Sequence, residues 1–379
     1  MRTRRVLVVT AYFPAHGGGI EIVAGQLVRH LARTGSPLRI EWAASHCDAP
    51  PSLPAGARPL ALSCWNGLER RTGVPVPLLS PGALARLWRA VRRAEVVHIH
   101  DFAYAGNLCA ALLCVASRTP FVVTQHVGAV PMPHPLLGRA LEALNRGVGV
   151  PLLNRARARV FVSDEVRRYF GERGVRDGEL VPNGVDTALF HAVSSETRQE
   201  LRAREGLAAD ARVAVFAGRF VPKKGVPFVL EMARRTPRVT WILAGRGPLD
   251  PEAGGGAAPP NVRVVRDRRG ASLADLFRVA DALVLPSRGE GFPLVVQEAL
   301  ACGTPALVES TLARALPAVA PFVAALSLEG DDALARWIEA LHTVLRDDSP
   351  EDRAGRATFA AHSWSWPRCA ARYGALLES

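Results

Sequence analysis

Lysine is almost missing from this chain. Of its 47 basic residues only two are lysines, Lys223 and Lys224, which stand side by side in GRFVPKKG; arginine supplies the rest. Where arginine is the default cation, an adjacent lysine pair marks a place that asks for a compact ammonium rather than a planar guanidinium. Cysteine is scarce too. The six residues, at 47, 64, 109, 114, 302 and 369, form no CxxC pair. That argues against a zinc ribbon or a disulfide scaffold and predicts free thiols in a reducing cytoplasm. With four tyrosines, no zinc spacing and no RNP-like segment, nucleic acid is not an expected partner. No apolar run approaches the roughly 20 residues that span a bilayer. The opening MRTRRVLVVTAYFPAHGGG starts as a signal peptide would, but Pro14 and the triple glycine cut it short, so a buried first strand is the better reading. No GxGxxG follows the first strand of either half, which sets aside a nicotinamide-dependent dehydrogenase. Neither a DxD cluster nor a His/Cys ligand set is present, and no metal is expected.

What the chain does have is a globular composition, 49% hydrophobic and 22% charged, with a formal charge of +12. Residues 1–190 hold 23 arginines against 13 acidic residues, whereas residues 191–379 hold 24 basic against 22 acidic. Composition bias accounts for part of this. The sharper expectation is a first half that approaches an anionic membrane surface or a phosphorylated acceptor.

Short apolar runs alternate with amphipathic segments. Strands are predicted at 6–12, 95–101, 120–126 and 158–163, with helices at 21–33, 105–117 and 164–171. The pattern restarts after a helical lead-in at 194–207. Strands follow at 213–219, 239–245, 261–265, 282–287 and 304–309, with helices at 226–235, 273–280, 294–301, 333–345 and 363–377. This alternation predicts two successive parallel-sheet units. Doubly wound units place their ligand crevices at the carboxyl ends of the strands.

Three motifs fall at such ends. Gly17, Gly18 and Gly19 precede a helix containing Glu21, where backbone N–H groups can approach an anion; the plainer alternative is a tight turn. GRFVPKKG sets Arg219, Lys223 and Lys224 between a strand and a helix, a cation set suited to a diphosphate. EGFPLVVQE places Glu290 in a loop and Glu298 on the next helix, where a carboxylate can accept two ribose hydroxyls. Other residues have plainer readings. His98 and His100 share one face of a strand but lack a third ligand, so packing is expected. Asp101 either lines the crevice or caps a helix. His16 is a candidate for acceptor contact beside the glycine loop, Cys302 is read as packing, and residues 266–269 as a solvated charge run.

Taken in order, GRFVPKKG, LAGRGP (243–248) and LADLFRVADALVLPSRGEGFPLVVQEALACGTP (273–305) resemble glycosyltransferase family 4, as do VPNGVDTALF (181–190) and GGGIEIVAGQLVRHLARTG (17–35). The resemblance implies a GT-B fold: α/β, with two Rossmann-like doubly wound domains facing across a cleft. It implies an acceptor-binding domain at 1–183, a nucleotide-sugar domain at 184–360, and a helix at 361–379 returning to the first. It also implies retaining hexosyl transfer from a nucleotide sugar, UDP- or GDP-linked, with no cofactor or metal. Arg219 and Lys224 match the donor-diphosphate pair, and Lys223 would be an auxiliary charge. Glu298 matches the ribose-binding glutamate and Glu290 the one near the transferred sugar. Gly291, Phe292 and Pro293 would lie along sugar and phosphates. His126 matches the histidine at the reaction centre, and Gly17–Gly19, with Gly218, would face the diphosphate. The implied acceptor is a glycan or lipid-linked hydroxyl in cell-surface polysaccharide, lipopolysaccharide or glycolipid assembly, at the inner membrane face. Two alternatives stay open: a nucleotide-sugar 2-epimerase on the same fold, and a non-catalytic GT-B binding protein. The chain departs from the family at 308–332, where the usual glycine pair is replaced.

Overall fold

A computed structural model describes residues 3–33, 35–67, 69, 77–128, 135–252, 258–289 and 292–379. The chain divides into two compact units, Met1–Gly184 with Trp366–Ser379, and Val185–Ser365.

The first unit is built on seven strands: β1 Arg4–Val9, β2 Leu38–Ser45, β3 Ala57–Leu62, β6 Val96–His100, β7 Phe121–Gln125, β8 Ala158–Phe161 and β9 Glu179–Leu180. Their order is β3-β2-β1-β6-β7-β8-β9, and every pairing is parallel. Strands β6 and β7 are buried at every residue, as expected when helices cover both faces of a sheet. A short antiparallel pair, β4 Cys64–Trp65 with β5 Leu78–Leu79, stands apart from the sheet. The second unit repeats the plan with β10 Arg212–Ala217, β11 Val239–Ala244, β12 Val262–Val265, β13 Ala282–Leu285, β14 Ala306–Glu309 and β15 Val323–Leu326. These are ordered β12-β11-β10-β13-β14-β15, again all parallel. Strand order reverses beside β1 in one sheet and beside β10 in the other. A doubly wound sheet opens its crevice at that switch point.

Strands β2, β3 and β15 are absent from the sequence prediction, as are the helices Pro81–Arg93 and Pro350–Trp364. Strand β3, ARPLAL, carries Pro59, which is tolerated because β3 is an edge strand. The helix expected at 363–377 starts instead at Trp366: residues 363–364 end the preceding helix Pro350–Trp364, and Ser365 separates it from the second, Trp366–Glu378. Pro367 sits in the first turn of the second, where its missing N–H leaves no gap. The expected boundary at 360/361 falls inside the earlier helix, and the chain crosses between units at 365/366. In the first unit Trp366 lies 2.4 Å from where a Cβ on Gly184 would stand, so only glycine lets the indole settle there. Tyr373 accepts a hydrogen bond from Thr124 Oγ1 at 3.2 Å, and Arg372 pairs with Glu179 at 2.6 Å. The three fully buried tryptophans each have a partner for the indole N–H: Trp42 with Thr10 Oγ1, Trp241 with Thr236 Oγ1 and Trp337 with the Ser327 carbonyl.

Candidate active site

In the second unit, β10 ends at Ala217; Gly218 follows, and Arg219 is exposed just beyond it. The turn Pro222–Lys224 follows, and Gly225 then opens the helix Val226–Arg235 from the left-handed region at φ 73°. A Cβ on Gly225 would meet the Pro286 carbonyl at 2.6 Å, and one on Gly245 would meet the Gly218 carbonyl at 1.9 Å. The loops after β10, β11 and β13 therefore pack backbone to backbone. Phe220 N–H donates to the Arg246 carbonyl at 2.8 Å, and Arg288 N–H to the Lys223 carbonyl at 2.9 Å. These bonds hold the cationic turn in place. The aliphatic stem of Lys224 passes over Gly218, 3.8 Å from where a Cβ would stand. Lys223 is exposed and Lys224 half-buried.

Glu298 lies on the helix Leu294–Ala301, and burial pushes its carboxyl up to about 7. Phe292 is buried against Trp364, ring centroids 5.8 Å apart, and Pro293 is the N-cap of the Glu298 helix. Glu290 and Gly291 lie outside the described residues. The charge run at 266–269 is exposed at Arg266, Asp267 and Arg269, as a solvated run should be, and much of it is also ion-paired. Arg266 bridges Asp250 and Glu252 at 2.8 and 2.7 Å, Arg268 meets Glu205 at 3.0 Å, and Asp267 meets Arg246. At the divergent segment, Glu309 caps the helix Ser310–Ala315, accepting from Thr311 N–H at 2.8 Å and Ser310 Oγ at 2.7 Å. This side chain fills a helix N-terminus whose N–H groups would otherwise face outward.

In the first unit, Gly17 is left-handed at φ 84° and ends the short turn Pro14–His16. A Cβ on Gly18 would strike Glu21 Oε2 at 2.1 Å, because the Glu21 carboxylate folds back over it. Around Gly17 and Gly19 nothing stands within 4 Å of an added Cβ. His16 is held from three sides. Its ring stacks on Tyr12 at 3.8 Å, Nδ1 lies 3.1 Å from Asp48, and Nε2 lies 3.1 Å from Glu69. Tyr12 and Asn66 both donate to Glu69, at 2.8 and 2.6 Å. Burial alone would raise Glu69, but these hydrogen bonds and His16 hold it below its ordinary value. Burial pushes the Glu21 carboxyl up.

Asp101 follows β6 in the left-handed region at φ 58°. Asn107 fixes that strand end, its Nδ2 donating to the carbonyls of His100 and Asp101 at 2.6 and 2.7 Å. Tyr104, not Asp101, is the N-cap of the helix Ala105–Ser117, which corrects the helix-cap alternative. Asp101 instead accepts the His126 backbone N–H at 3.3 Å on Oδ1, while Oδ2 is buried without a hydrogen-bond partner. Burial pushes this carboxyl up to about 7, with Glu21 adding to the rise. His126 Nε2 lies 3.0 Å from His100 Nδ1, and His98 Nε2 lies 2.8 Å from Thr124 Oγ1. Burial pulls His126 and His98 down to about 3 and His100 well below its ordinary value. All three imidazoles are therefore neutral near pH 7. Among the described residues no group of three or more His, Cys, Asp or Glu gathers to hold a metal ion.

Five of the described arginines of this unit lie away from the crevice. Arg4 and Arg5 open β1, Arg39 is the second residue of β2, Arg58 the second of β3, and Arg93 ends the helix leading to β6. All of these lie at the amino-terminal edge of the sheet. There a hollow of about 510 Å³ is lined by Arg5, Arg39, Arg58 and Arg93. The carboxyl edge carries Glu21, Asp48, Glu69 and Asp101.

Comparison with known proteins agrees with this arrangement. The sequence profile of Glycosyltransferase Family 4 matches residues 17–189, and that of Glycosyl transferases group 1 matches residues 211–347. Between them the two profiles span both units, and the chain is a glycosyltransferase similar to family 4. It is 29% identical over 382 residues to the D-inositol 3-phosphate glycosyltransferase of Mycobacterium tuberculosis H37Rv, covering 92% of this chain and 76% of that protein. In structure this glycosyltransferase is similar to Anabaena Alr3699/HepE, crystallised with UDP-glucose (TM-score 0.74, 17% identity, 99% of each chain covered). It is also similar to sucrose-phosphate synthase from Thermosynechococcus elongatus (TM-score 0.73, 19% identity, 99% of this chain and 98% of that one). Both sheets match the GT-B plan. Among the described residues no helix is long and apolar enough to cross a membrane.

Sequence reasoning singled out Arg219, Lys224 and Glu298 because each sits in a short strand–turn–helix motif. It missed Tyr12, Asp48, Glu69 and Asn66, which only the chain crossing at the ends of β1, β2 and β4 brings around His16. Asp48, three residues past the end of β2, was the one available signal, and it needed β2 to be recognised first.

Proposed function

We propose that this glycosyltransferase moves a hexose, with retention at the anomeric carbon, from a nucleoside-diphosphate sugar to a hydroxyl of a glycan or lipid-linked acceptor in cell-surface polysaccharide, lipopolysaccharide or glycolipid assembly. The observation that carries this reading is the Gly218–Gly225 loop, with Arg219 exposed and Lys224 laid across Gly218. Breaking a sugar–phosphate bond builds negative charge on the departing diphosphate. Two fixed cations stabilise that charge as it develops, without a metal. Glu298, held near neutrality by burial, gains when ribose hydroxyls donate to it, since hydrogen bonds to a carboxylate favour the ionised form. His126, neutral at working pH, is a hydrogen-bonding rather than a charged partner for the sugar. Attack by the acceptor hydroxyl on the face the phosphate leaves accounts for retention, with that phosphate taking the proton.

On the acceptor side, carboxylates and a tyrosine favour a ligand rich in hydroxyl donors. This differs from the phosphate-bearing acceptor in the name of the mycobacterial relatives. The arginine-lined hollow at the opposite sheet edge supports contact with an anionic membrane surface there, at the cytoplasmic face. The Anabaena crystals with UDP and UDP-glucose make UDP-sugars the first to test. A thermal-shift panel of UDP-, GDP-, ADP- and dTDP-sugars checks the donor reading. One nucleotide class should stabilise the protein, and folded protein that responds to none would sink it.

A further inference from the structure

We infer that Cys47 and Cys64 are a reversible dithiol–disulfide pair, a modification site beside the crevice of the first unit. Their sulfurs lie 3.2 Å apart, so closing a disulfide of about 2.05 Å needs a movement of only about 1.2 Å. Backbone bonds hold both residues in place from opposite sides. His46 N–H donates to the Leu62 carbonyl at 2.9 Å, and Ser80 N–H to the Ser63 carbonyl at 2.9 Å. Cys64 N–H donates to His46 Nδ1 at 3.3 Å.

The two thiols differ in the way a two-step exchange requires. Cys47 is exposed, whereas Cys64 is partly covered, and burial with Cys47 alongside pushes its thiol up to about 12. The other four cysteines are buried or partly so. Cys47 is therefore the entering group. As thiolate it attacks a small-molecule disulfide such as oxidised glutathione, forming a mixed disulfide and releasing one glutathione thiolate. Cys64 then passes its proton to solvent and attacks the Cys47 sulfur, releasing the second glutathione. The protein loses two hydrogens and the glutathione disulfide becomes two thiols.

The bond would tie the turn after β2 to the start of β4. Asp48, the next residue after Cys47, pairs with His16, while Asn66 and Glu69 follow Cys64 and grip Tyr12 and His16. Oxidation thus locks the carboxylate frame around His16.

The test is non-reducing peptide mapping of the whole protein equilibrated in glutathione buffers of rising oxidised fraction. The expected result is a single linked peptide pair joining Cys47 to Cys64 and a mass lower by about 2 Da, both reversed by excess reduced glutathione. Cys64→Ser should instead trap glutathione on Cys47, and Cys47→Ser should take up none at Cys64. The inference is overturned if both cysteines of the folded wild-type protein remain alkylatable in fully oxidised buffer. It is equally overturned if Cys47 stops at the glutathione adduct with Cys64 present.

Discussion

The two sheets share a winding plan, and their carboxyl edges are built differently. At the edge of the first unit, burial drives Glu21 and Asp101 upward and His98, His100 and His126 downward, toward neutrality, while hydrogen bonds and His16 hold Glu69 below its ordinary value. At the edge of the second, glycines thin the backbone so that Arg219 stays exposed and Lys224 lies over Gly218. The same topology thus yields a polar, acceptor-rich frame in one unit and a cationic cradle in the other. Fold alone did not assign these roles; the side chains at the strand ends did.

The largest effect should come from removing the cradle. Arg219→Ala or Lys224→Ala is expected to lower turnover by about 10²–10³-fold, and Arg219→Ala, an exposed site, to change stability by less than about 0.5 kcal/mol. Steady-state kinetics beside urea melts will check both. A matching change at the first edge, Glu69→Gln, should leave nucleotide binding intact and raise acceptor KM instead.

Asp101 offers the next effect. Its carboxyl titrates at about 7 rather than 3.8 because it is buried, so the folded state holds the proton longer than the unfolded chain. The contribution of this carboxyl to stability is then fully present below about pH 4 and is lost as pH rises toward 7, by on the order of 3 kcal/mol. Asp101→Asn should flatten that slope in denaturant melts at pH 4 and 7. Equal slopes in wild type and variant would contradict the burial argument.

Gly225→Ala tests how the second edge is held. With φ 73° and a carbonyl 2.6 Å from the added Cβ, it should cost about 1–3 kcal/mol, read from chemical unfolding. Glu309→Ala, which uncaps the helix Ser310–Ala315, should cost about 1 kcal/mol in the same measurement.

The edge of the second unit was legible in the sequence because its residues belong to single strand–turn–helix units: Gly218 to Gly225 in one, Phe292 to Glu298 in another. The edge of the first unit was not, because its residues meet only through topology. His16, Asp48 and Glu69 come from three separate turns, and β2 carries Arg39 and Glu41, which break its apolar run. The left-handed Asp101 depends on Asn107, and Thr124 has its partner in Tyr373, almost at the end of the chain. The lysine pair divides differently in space than in sequence. Lys224 covers Gly218, while Lys223 contributes its carbonyl to the Arg288 backbone.

The division between the edges is tested most directly by calorimetric titration of nucleoside diphosphates into wild type, Lys224→Ala and Glu69→Gln. The account predicts that one diphosphate binds wild type and Glu69→Gln equally, and Lys224→Ala at least about tenfold more weakly, a difference of about 1.4 kcal/mol. Equal affinity for all three proteins, or an equal loss in both variants, would contradict it.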